Sequence, residues 1–395
     1  MKQDIDKLMD LFDLDVILHS GSGFISPTIY YLTGFLSPDE ITYVKHKDSE
    51  PMVVTAFNTC ERVKKQTEIK NVKDITEIYV KMMSEGINIR ENIEMILKSW
   101  VPKEIPEGST IGVPDDFPAT KLLILQKFGY NVKAVPNFFN ILRETKSIDE
   151  INKIREAVDA DIKTFEKVID IINNSEIGDN NILYYENKKL TVGYIKRVIE
   201  HTLLDNDSEN TEESIVVSGQ AGYDFHYLGS PEDIIRAHEP IIVDIFPRHK
   251  FNRYYADITR TIIKGTPNKD VRKMYETVNL AIESAIDSIK AGEPIGIFVD
   301  KACKVIEQAG FQTIKSDPDA KEGFIHTLGH GIGLDIHEYP SLREYDRILP
   351  AHVTMAIEPG IYLRKYGGVR TEDDVYVDKN KIEVLSEKLQ RDLIL

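Results

Sequence analysis

The feature that most constrains this chain is the placement of single carboxylates inside short apolar segments of its second half. Asp244 lies within Ile-Ile-Val-Asp-Ile-Phe at 241–246, and Asp257 lies within Tyr-Tyr-Ala-Asp-Ile at 254–258. Apolar runs of this length predict buried strands, yet a buried carboxylate without a partner costs several kcal/mol. The two segments predict a hairpin with both acids on one side. Two ion-paired structural aspartates remain an alternative explanation at this point.

A third segment, residues 326–338, concentrates histidines among glycines. It contains His326, His330 and His337, and its glycines disfavour a helix while letting the backbone approach a ligand closely. The helical zinc motif His-Glu-x-x-His is absent, because Ser341 stands four residues after His337. One histidine alone is usually a packed core residue, whereas three among glycines predict a functional site.

Two further segments place a glutamate beside apolar residues. Glu358 lies in Ala-Ile-Glu-Pro-Gly-Ile-Tyr at 356–362, and Glu372 lies in Gly-Val-Arg-Thr-Glu-Asp-Asp-Val at 368–375. Two aspartates, two glutamates and one histidine suit a pair of divalent ions better than a single small cation. The excess of oxygen ligands favours Mn or Co over a thiolate zinc site, although Zn and Fe also accept this set.

These segments together resemble the pita-bread metallopeptidases, in the branch that contains creatinase, aminopeptidase P and prolidase. The shared motifs include Asp-Ile-Thr-Arg-Thr at 257–261, Gly-His-Gly-x-Gly-x-x-x-His-Glu at 329–338 and Arg-x-Glu-Asp at 370–373. The resemblance is strong over residues 150–395 and weak before them. It implies an α+β fold, with a pita-bread catalytic domain over 146–395 preceded by a smaller creatinase-like α/β domain over 1–145.

The resemblance also implies a role for each candidate residue. Asp244 would bind one ion, Asp257 and Glu372 would bridge two ions, and His330 and Glu358 would complete the metal site. Glu358 would also pass a proton from a water that bridges the ions to the leaving amine. The implied catalytic residues are His226, His337, Glu358 and Arg370, and the implied substrate-binding residues are His226, His326 and His337.

The activity implied by this resemblance is that of a dinuclear-metal exopeptidase that cleaves the bond before proline in short peptides. Many prolidases carry an arginine after the His-Glu-x-Pro segment, where this chain has Ser341. Dipeptide and longer-peptide preferences therefore both stay open. An aminopeptidase with another preference, an inactive pita-bread module that binds proteins and a metal-free creatinase-like hydrolase are the other hypotheses.

Composition narrows the possible partners. With 49 basic and 65 acidic residues, the net charge of −16 argues against nucleic acid or an anionic membrane as a partner. Two cysteines, a polar start and the lack of a long apolar run predict a cytoplasmic protein. The family resemblance implies a homodimer.

Local patterns predict a few elements. Apolar runs at 15–18, 52–54 and 111–113 indicate strands of the first domain. A capping box at 147–150 and an apolar stripe from Ile151 to Phe165 indicate a long helix that opens the second domain. The acidic segment 204–214 is expected to be an exposed loop, and Arg248, His249 and Lys250 are expected to lie in solvent at an extended hairpin tip.

Overall fold

The structure is a computed structural model that describes residues 5–395. The chain divides into two compact units, of which the first ends at Arg143 and the second runs from Glu144 to Leu395. The boundary predicted from the sequence falls two residues later. Within the described residues, no helix combines the length and the apolar character that a membrane crossing needs.

The first unit is built on a six-stranded mixed sheet with the strand order β4-β3-β2-β1-β5-β6. Strand β1 lies at its centre, antiparallel to β2 and parallel to β5. The strands are β1 (Val16–Gly21), β2 (Ile41–His46), β3 (Met52–Thr55), β4 (Asn71–Asp74), β5 (Thr110–Val113) and β6 (Asn131–Ala134). Three of these strands coincide with the apolar runs that predicted them.

Among the described residues, seven helices accompany this sheet. Trp100 and Leu97 lie in one buried cluster with Val16 and Leu18 of the central strand. The helices are α1 (Ile5–Leu11), α2 (Pro27–Thr33), α3 (Thr59–Gln66), α4 (Thr76–Ser84), α5 (Ile93–Glu104), α6 (Ala119–Lys127) and α7 (Pro136–Glu144). The N-terminal unit is therefore α/β, with its own apolar core.

The second unit opens with the predicted long helix. Ser147 and Glu150 form the capping box, in which each side chain accepts a hydrogen bond from the other residue's backbone N–H. Ile154, Val158 and Phe165 are buried along one face. The helices of this unit are α8 (Ile148–Asn173), α9 (Val192–Asp205), α10 (Lys269–Ile286) and α11 (Gly296–Gln308).

Short antiparallel strands make up most of the rest of the second unit. They form a three-stranded sheet β11-β12-β14, a five-stranded sheet β16-β15-β17-β20-β21 and three smaller sheets, β7-β8-β9, β10-β13 and β18-β19. The strands are β7 (Glu176–Ile177), β8 (Leu183–Tyr185), β9 (Lys188–Lys189), β10 (Ser208–Glu209), β11 (Ile215–Ser218), β12 (Ile241–Ile245), β13 (Arg248–His249), β14 (Ile258–Ile262), β15 (Gly329–Gly331), β16 (Glu338–Ser341), β17 (Val353–Ile357), β18 (Gly360–Leu363), β19 (Gly367–Arg370), β20 (Asp373–Val377) and β21 (Ile382–Val384).

Two predictions about exposed segments are wrong. The acidic segment 204–214 is not a simple loop, because α9 continues to Asp205 and β10 then pairs with β13 of the hairpin tip. The tip residues Arg248, His249 and Lys250 are correspondingly half-buried. Arg248 donates to Glu209 at 2.8 Å, so the acidic segment supplies the partner that the basic tip needs. The two segments are well separated in the sequence, so their charge complementarity becomes visible only once β10 and β13 are paired.

A large apolar core lies behind the five-stranded sheet. Residues of α10 and α11, such as Met274, Val278 and Phe298, are buried together with Met355 and Val375 of β17 and β20. Because side chains alternate across a strand, the neighbours of these apolar residues face the other way. The core therefore fixes the register of β17, which ends just before Glu358, and of β20, which begins just after Glu372.

The buried histidine of the first unit gives a pH prediction. His19 has no exposed surface, and burial lowers the pKa of its imidazole to about 4. The unfolded chain takes up a proton below about pH 6.5, whereas the folded His19 stays neutral until about pH 4. Stability should therefore fall as the pH drops from 6.5 to 4, by at most about 1.4 kcal/mol per pH unit from this residue.

Urea unfolding followed by the fluorescence of Trp100, the single tryptophan of the chain, reports on this unit directly. His19→Gln should flatten the pH dependence between 6.5 and 4 relative to the unsubstituted protein. Equal slopes in the two proteins would contradict the assignment of this pH dependence to His19.

Candidate metal centre

The hairpin predicted from the first two apolar segments is present. Strand β12 pairs with β14 so that Asp244 lies opposite Thr259, and Asp257 immediately precedes β14. Both carboxylates are buried, with 7% of Asp244 and 4% of Asp257 exposed. The hairpin thus brings two acids into the protein interior, as the sequence indicated.

The five-stranded sheet supplies the next ligand candidates. His330 in β15 pairs with Ala356 in β17, two residues before Glu358. Gly329 makes this close pairing possible, since a Cβ at its φ of +153° would lie 1.9 Å from the Ala356 carbonyl oxygen. Glu372 immediately precedes β20, the strand on the other side of β17.

Three of the predicted metal ligands meet at one point. The ligand atoms of Asp257, His330 and Glu372 all lie within 4.8 Å of one another. His330 Nε2 is 3.5 Å from Asp257 Oδ2, 4.0 Å from Glu372 Oε1 and 3.9 Å from Glu358 Oε1. The structure therefore places three predicted ligands around the ring of a fourth, His330.

The electrostatics of this cluster favour a bound cation. Burial, together with the neighbouring carboxylates, raises the pKa of Asp257 and of Glu372 well above the usual values. Burial raises the pKa of Glu358 to about 8, and burial lowers the pKa of His330 to about 3. A neutral imidazole among mutually repelling carboxylates is a donor set that suits divalent ions, because a cation offsets both the repulsion and the cost of burial.

Asp244, the fifth predicted ligand, is held by an arginine. Arg370 donates to Asp244 Oδ2 at 2.5 Å and also to Thr259 Oγ1 at 3.2 Å and the Tyr362 hydroxyl at 3.0 Å. The other oxygen of Asp244, Oδ1, is buried and has no hydrogen-bond partner among the described residues. This orphaned oxygen fits a ligand role, since buried carboxylate oxygens are otherwise almost always paired.

Neighbouring residues orient the ligand carboxylates. Thr259 donates its hydroxyl to Glu372 Oε2 at 2.7 Å, and Asp374 Oδ2 accepts the backbone N–H of Asp257 at 2.9 Å. The first contact fixes one carboxylate oxygen of Glu372, and the second holds the Asp374 carboxylate against the main chain at Asp257. Arg370 and Thr259 thus contact the carboxylates of Asp244 and Glu372, respectively.

Sequence inspection assigned no role to Tyr362 or Asp374, although both belong to the network. The Tyr362 hydroxyl lies 3.1 Å from His326 Nε2 and accepts from Arg370. Asp374 adjoins Asp373 in the sequence, but alternation along β20 sends the two side chains to opposite faces. Asp373 pairs instead with Arg260 at 2.7 Å. The period-two alternation of this strand is the signal that separates the two aspartates.

The other three histidines surround the cluster at different distances. His337 packs edge-on against His330, with ring centroids 4.2 Å apart. His326 Nδ1 lies 3.9 Å from Glu358 Oε2, and its ring contacts those of Phe324 and Phe225. His226 is exposed, and its ring lies against Phe225, 4.2 Å between centroids. These ring contacts therefore connect His226 to the cluster indirectly, through Phe225 and His326.

Comparison with known proteins also points to a metal site in this part of the chain. The profile described as metallopeptidase family M24 matches residues 152–379. The Xaa-Pro dipeptidase of Pyrococcus furiosus is 32% identical over 259 residues, which cover 64% of this chain and 69% of that protein.

Solved structures extend the likeness to the full chain. The prolidase of Pyrococcus horikoshii OT3 superposes with a TM-score of 0.77 and 25% identity, covering 99% of each chain. An X-Pro aminopeptidase from Thermotoga maritima MSB8 shares the fold with a TM-score of 0.76 and 23% identity, over 98% of this chain and 99% of that one. These likenesses confirm the predicted α+β class, with a pita-bread domain after an N-terminal α/β domain.

The family implies divalent metal ions, and the Asp257–His330–Glu372 cluster fits them. The M24 profile covers more than half of the sequence, including Asp257, His330 and Glu372. This chain belongs to metallopeptidase family M24.

Proposed function

We propose that this protein is a dinuclear-metal exopeptidase that hydrolyses the peptide bond before proline in short peptides. The observation that carries the proposal is the convergence of Asp257, His330 and Glu372 within 4.8 Å, in a chain that is 32% identical to an Xaa-Pro dipeptidase. An inactive binding module or a metal-free hydrolase is not favoured, because neither needs these buried acids to converge.

In this proposal the ligands divide between two ions. Asp244 would hold one ion, Asp257 and Glu372 would be shared by both, and His330 and Glu358 would complete the site. The free Oδ1 of Asp244 supports its role, and the oxygen-rich set supports Mn or Co, with Zn and Fe as further options. The ions, when bound, supply Lewis-acid activation of water and of the scissile carbonyl.

The side chains of the site perform the proton transfers. Glu358 takes the proton of the attacking water and returns it to the proline nitrogen as the C–N bond breaks. His337 stabilises the oxyanion that forms on the scissile carbonyl, and its contact with His330 places it beside the cluster. His326 and His226 contact the substrate. Arg370 holds Asp244 in position, as its 2.5 Å hydrogen bond supports.

A dedicated pocket for proline has a chemical reason. Proline has no backbone N–H and fixes its φ angle, so a site that grips an extended peptide through backbone hydrogen bonds loses one of them. Position 341 is serine in this chain, which supports activity on peptides longer than dipeptides as well as on dipeptides.

Location and assembly are further parts of the proposal. Both cysteines, Cys60 and Cys303, are buried free thiols, which suits a reducing cytoplasm. The family resemblance supports a homodimer.

A peptide panel tests the proposed specificity. The metal-loaded enzyme should cleave Ala-Pro and Ala-Pro-Gly at least tenfold faster than Ala-Ala and Ala-Ala-Gly, measured as kcat/KM. Asp257→Asn should abolish turnover, while the exposed Asp205→Asn should retain it. Faster cleavage of the peptides without proline would contradict the proposal.

Metal binding should also stabilise the fold. Adding Mn²⁺ or Co²⁺ to metal-stripped protein, at a concentration about 100 times the dissociation constant, should raise the free energy of unfolding by about 2.7 kcal/mol. This corresponds to a rise in Tm of about 5–10 °C. Differential scanning calorimetry measures this shift, which Asp257→Asn should reduce and Asp205→Asn should leave intact. An unchanged Tm in the unsubstituted protein would refute cation binding at the cluster.

His337 should separate chemistry from metal binding. Because His337 is assigned to the oxyanion and not to the ions, His337→Ala should keep the metal content and lower kcat about 10²–10³-fold. Elemental analysis alongside kinetics checks both parts. Loss of metal from this variant would show that the assigned role is wrong.

A further inference from the structure

A buried ion pair lies beneath the turn that carries His337. Lys146 donates to Glu338 Oε1 at 2.6 Å, and only 1% of the lysine and 5% of the glutamate side chain is exposed. The ammonium also donates to the Glu144 carbonyl at 3.1 Å, and the Lys146 backbone N–H donates to the His352 carbonyl at 2.6 Å. Both main chain and side chain of Lys146 are therefore fixed.

Stability alone does not explain a pair of this kind. Burying both charges costs several kcal/mol, and apolar residues of similar size often serve a core equally well. A buried, hydrogen-bonded charge pair does fix geometry, because each group is costly to leave without the other. The question is which geometry Lys146 fixes.

In this structure the pair fixes the turn that precedes Glu338, because that turn packs on the Glu338 carboxylate. The backbone N–H of Asp335 donates to Glu338 Oε2 at 3.4 Å, so the two carboxylate oxygens join Lys146 to the turn. At Gly333 a Cβ would lie 2.2 Å from Glu338 Oε1, so the turn packs directly on the carboxylate. His337 is the residue immediately before Glu338.

A second contact anchors the same strand to the same segment of chain. Arg347 donates to both oxygens of Glu144, at 2.9 and 2.8 Å, and its guanidinium lies over the Tyr339 ring, 4.7 Å from the centroid. Arg347 thus holds together Glu144, two residues before Lys146, and Tyr339, the residue after Glu338. The His337 side chain lies against the His330 ring and takes no part in these anchoring contacts.

We propose that Lys146 is a positioning residue, which through Glu338 holds the His337 ring where it meets the reacting carbonyl. The inference rests on the function proposed above for His337. No contact joins Lys146 to a candidate metal ligand among the described residues, so its loss should change the placement of one ring and not the metal site.

A kinetic cycle between Lys146 and His337 tests this inference. In metal-loaded enzyme, Lys146→Met should lower kcat about tenfold, with KM within twofold and metal content unchanged. In the His337→Ala background the same substitution should lower kcat less than twofold, because the ring that it positions is already gone. An equal fall in both backgrounds would overturn the proposal, as would loss of metal.

Two further variants control for general damage. Lys121→Met removes another buried lysine that is paired with a glutamate, in the N-terminal unit, and should leave kcat unchanged. Glu338→Gln is nearly isosteric and should reproduce the kinetic effect of Lys146→Met, including its loss in the His337→Ala background. It carries the test if Lys146→Met does not fold.

A spectroscopic readout keeps this inference separate from the proposed function. With ¹⁵N-labelled histidine, His337 should give a single sharp set of ring resonances in the unsubstituted protein and broadened or doubled ones in Lys146→Met. His19 should be unaffected. Unchanged His337 resonances would overturn the positioning role even if the enzyme cleaves Xaa-Pro peptides, whereas absence of that cleavage with altered resonances would refute only the proposed function.

Discussion

The repulsion among buried carboxylates is the constraint on which the catalytic unit depends. Asp257, Glu358 and Glu372 surround one imidazole in a protein interior, where their charges are poorly screened. A fold that places them there needs positive charge between them, which metal ions supply in family M24. The deep burial that makes the cluster costly without cations also strengthens the hold of the ligands on the ions.

Three cationic side chains around this cluster each pair with a different acid. Arg370 neutralises Asp244 and reaches Thr259 and Tyr362, while Arg260 neutralises Asp373 on the opposite face of β20. Lys146 pairs with Glu338 beneath the histidine turn. None of the three meets Asp257, which leaves that carboxylate available to a metal ion. Asp373 and Glu338 are thus balanced by cationic side chains of the protein, whereas Asp244 is balanced through one oxygen only and keeps Oδ1 without a partner.

The candidate acids of the site were predictable from the sequence because a carboxylate inside or beside an apolar segment needs a partner when it is buried. This rule singles out Asp244, Asp257, Glu358 and Glu372, while their roles came from the family resemblance. The six-stranded order of the first unit was not predictable, since it depends on which strands pair across long separations. The pairing of β10 with the hairpin tip was missed for the same reason, and so was the contact of Lys146 with Glu338. Each of these two contacts joins segments that are far apart in the sequence, so neither segment alone indicates its partner.

The central claim, that paired cations hold the carboxylates together, is tested most directly by counting metal in the purified protein after reconstitution. Elemental analysis should find about two divalent ions per chain and clearly fewer in Glu372→Gln. A folded protein that takes up none, and is as stable without metal as with it, would contradict the account.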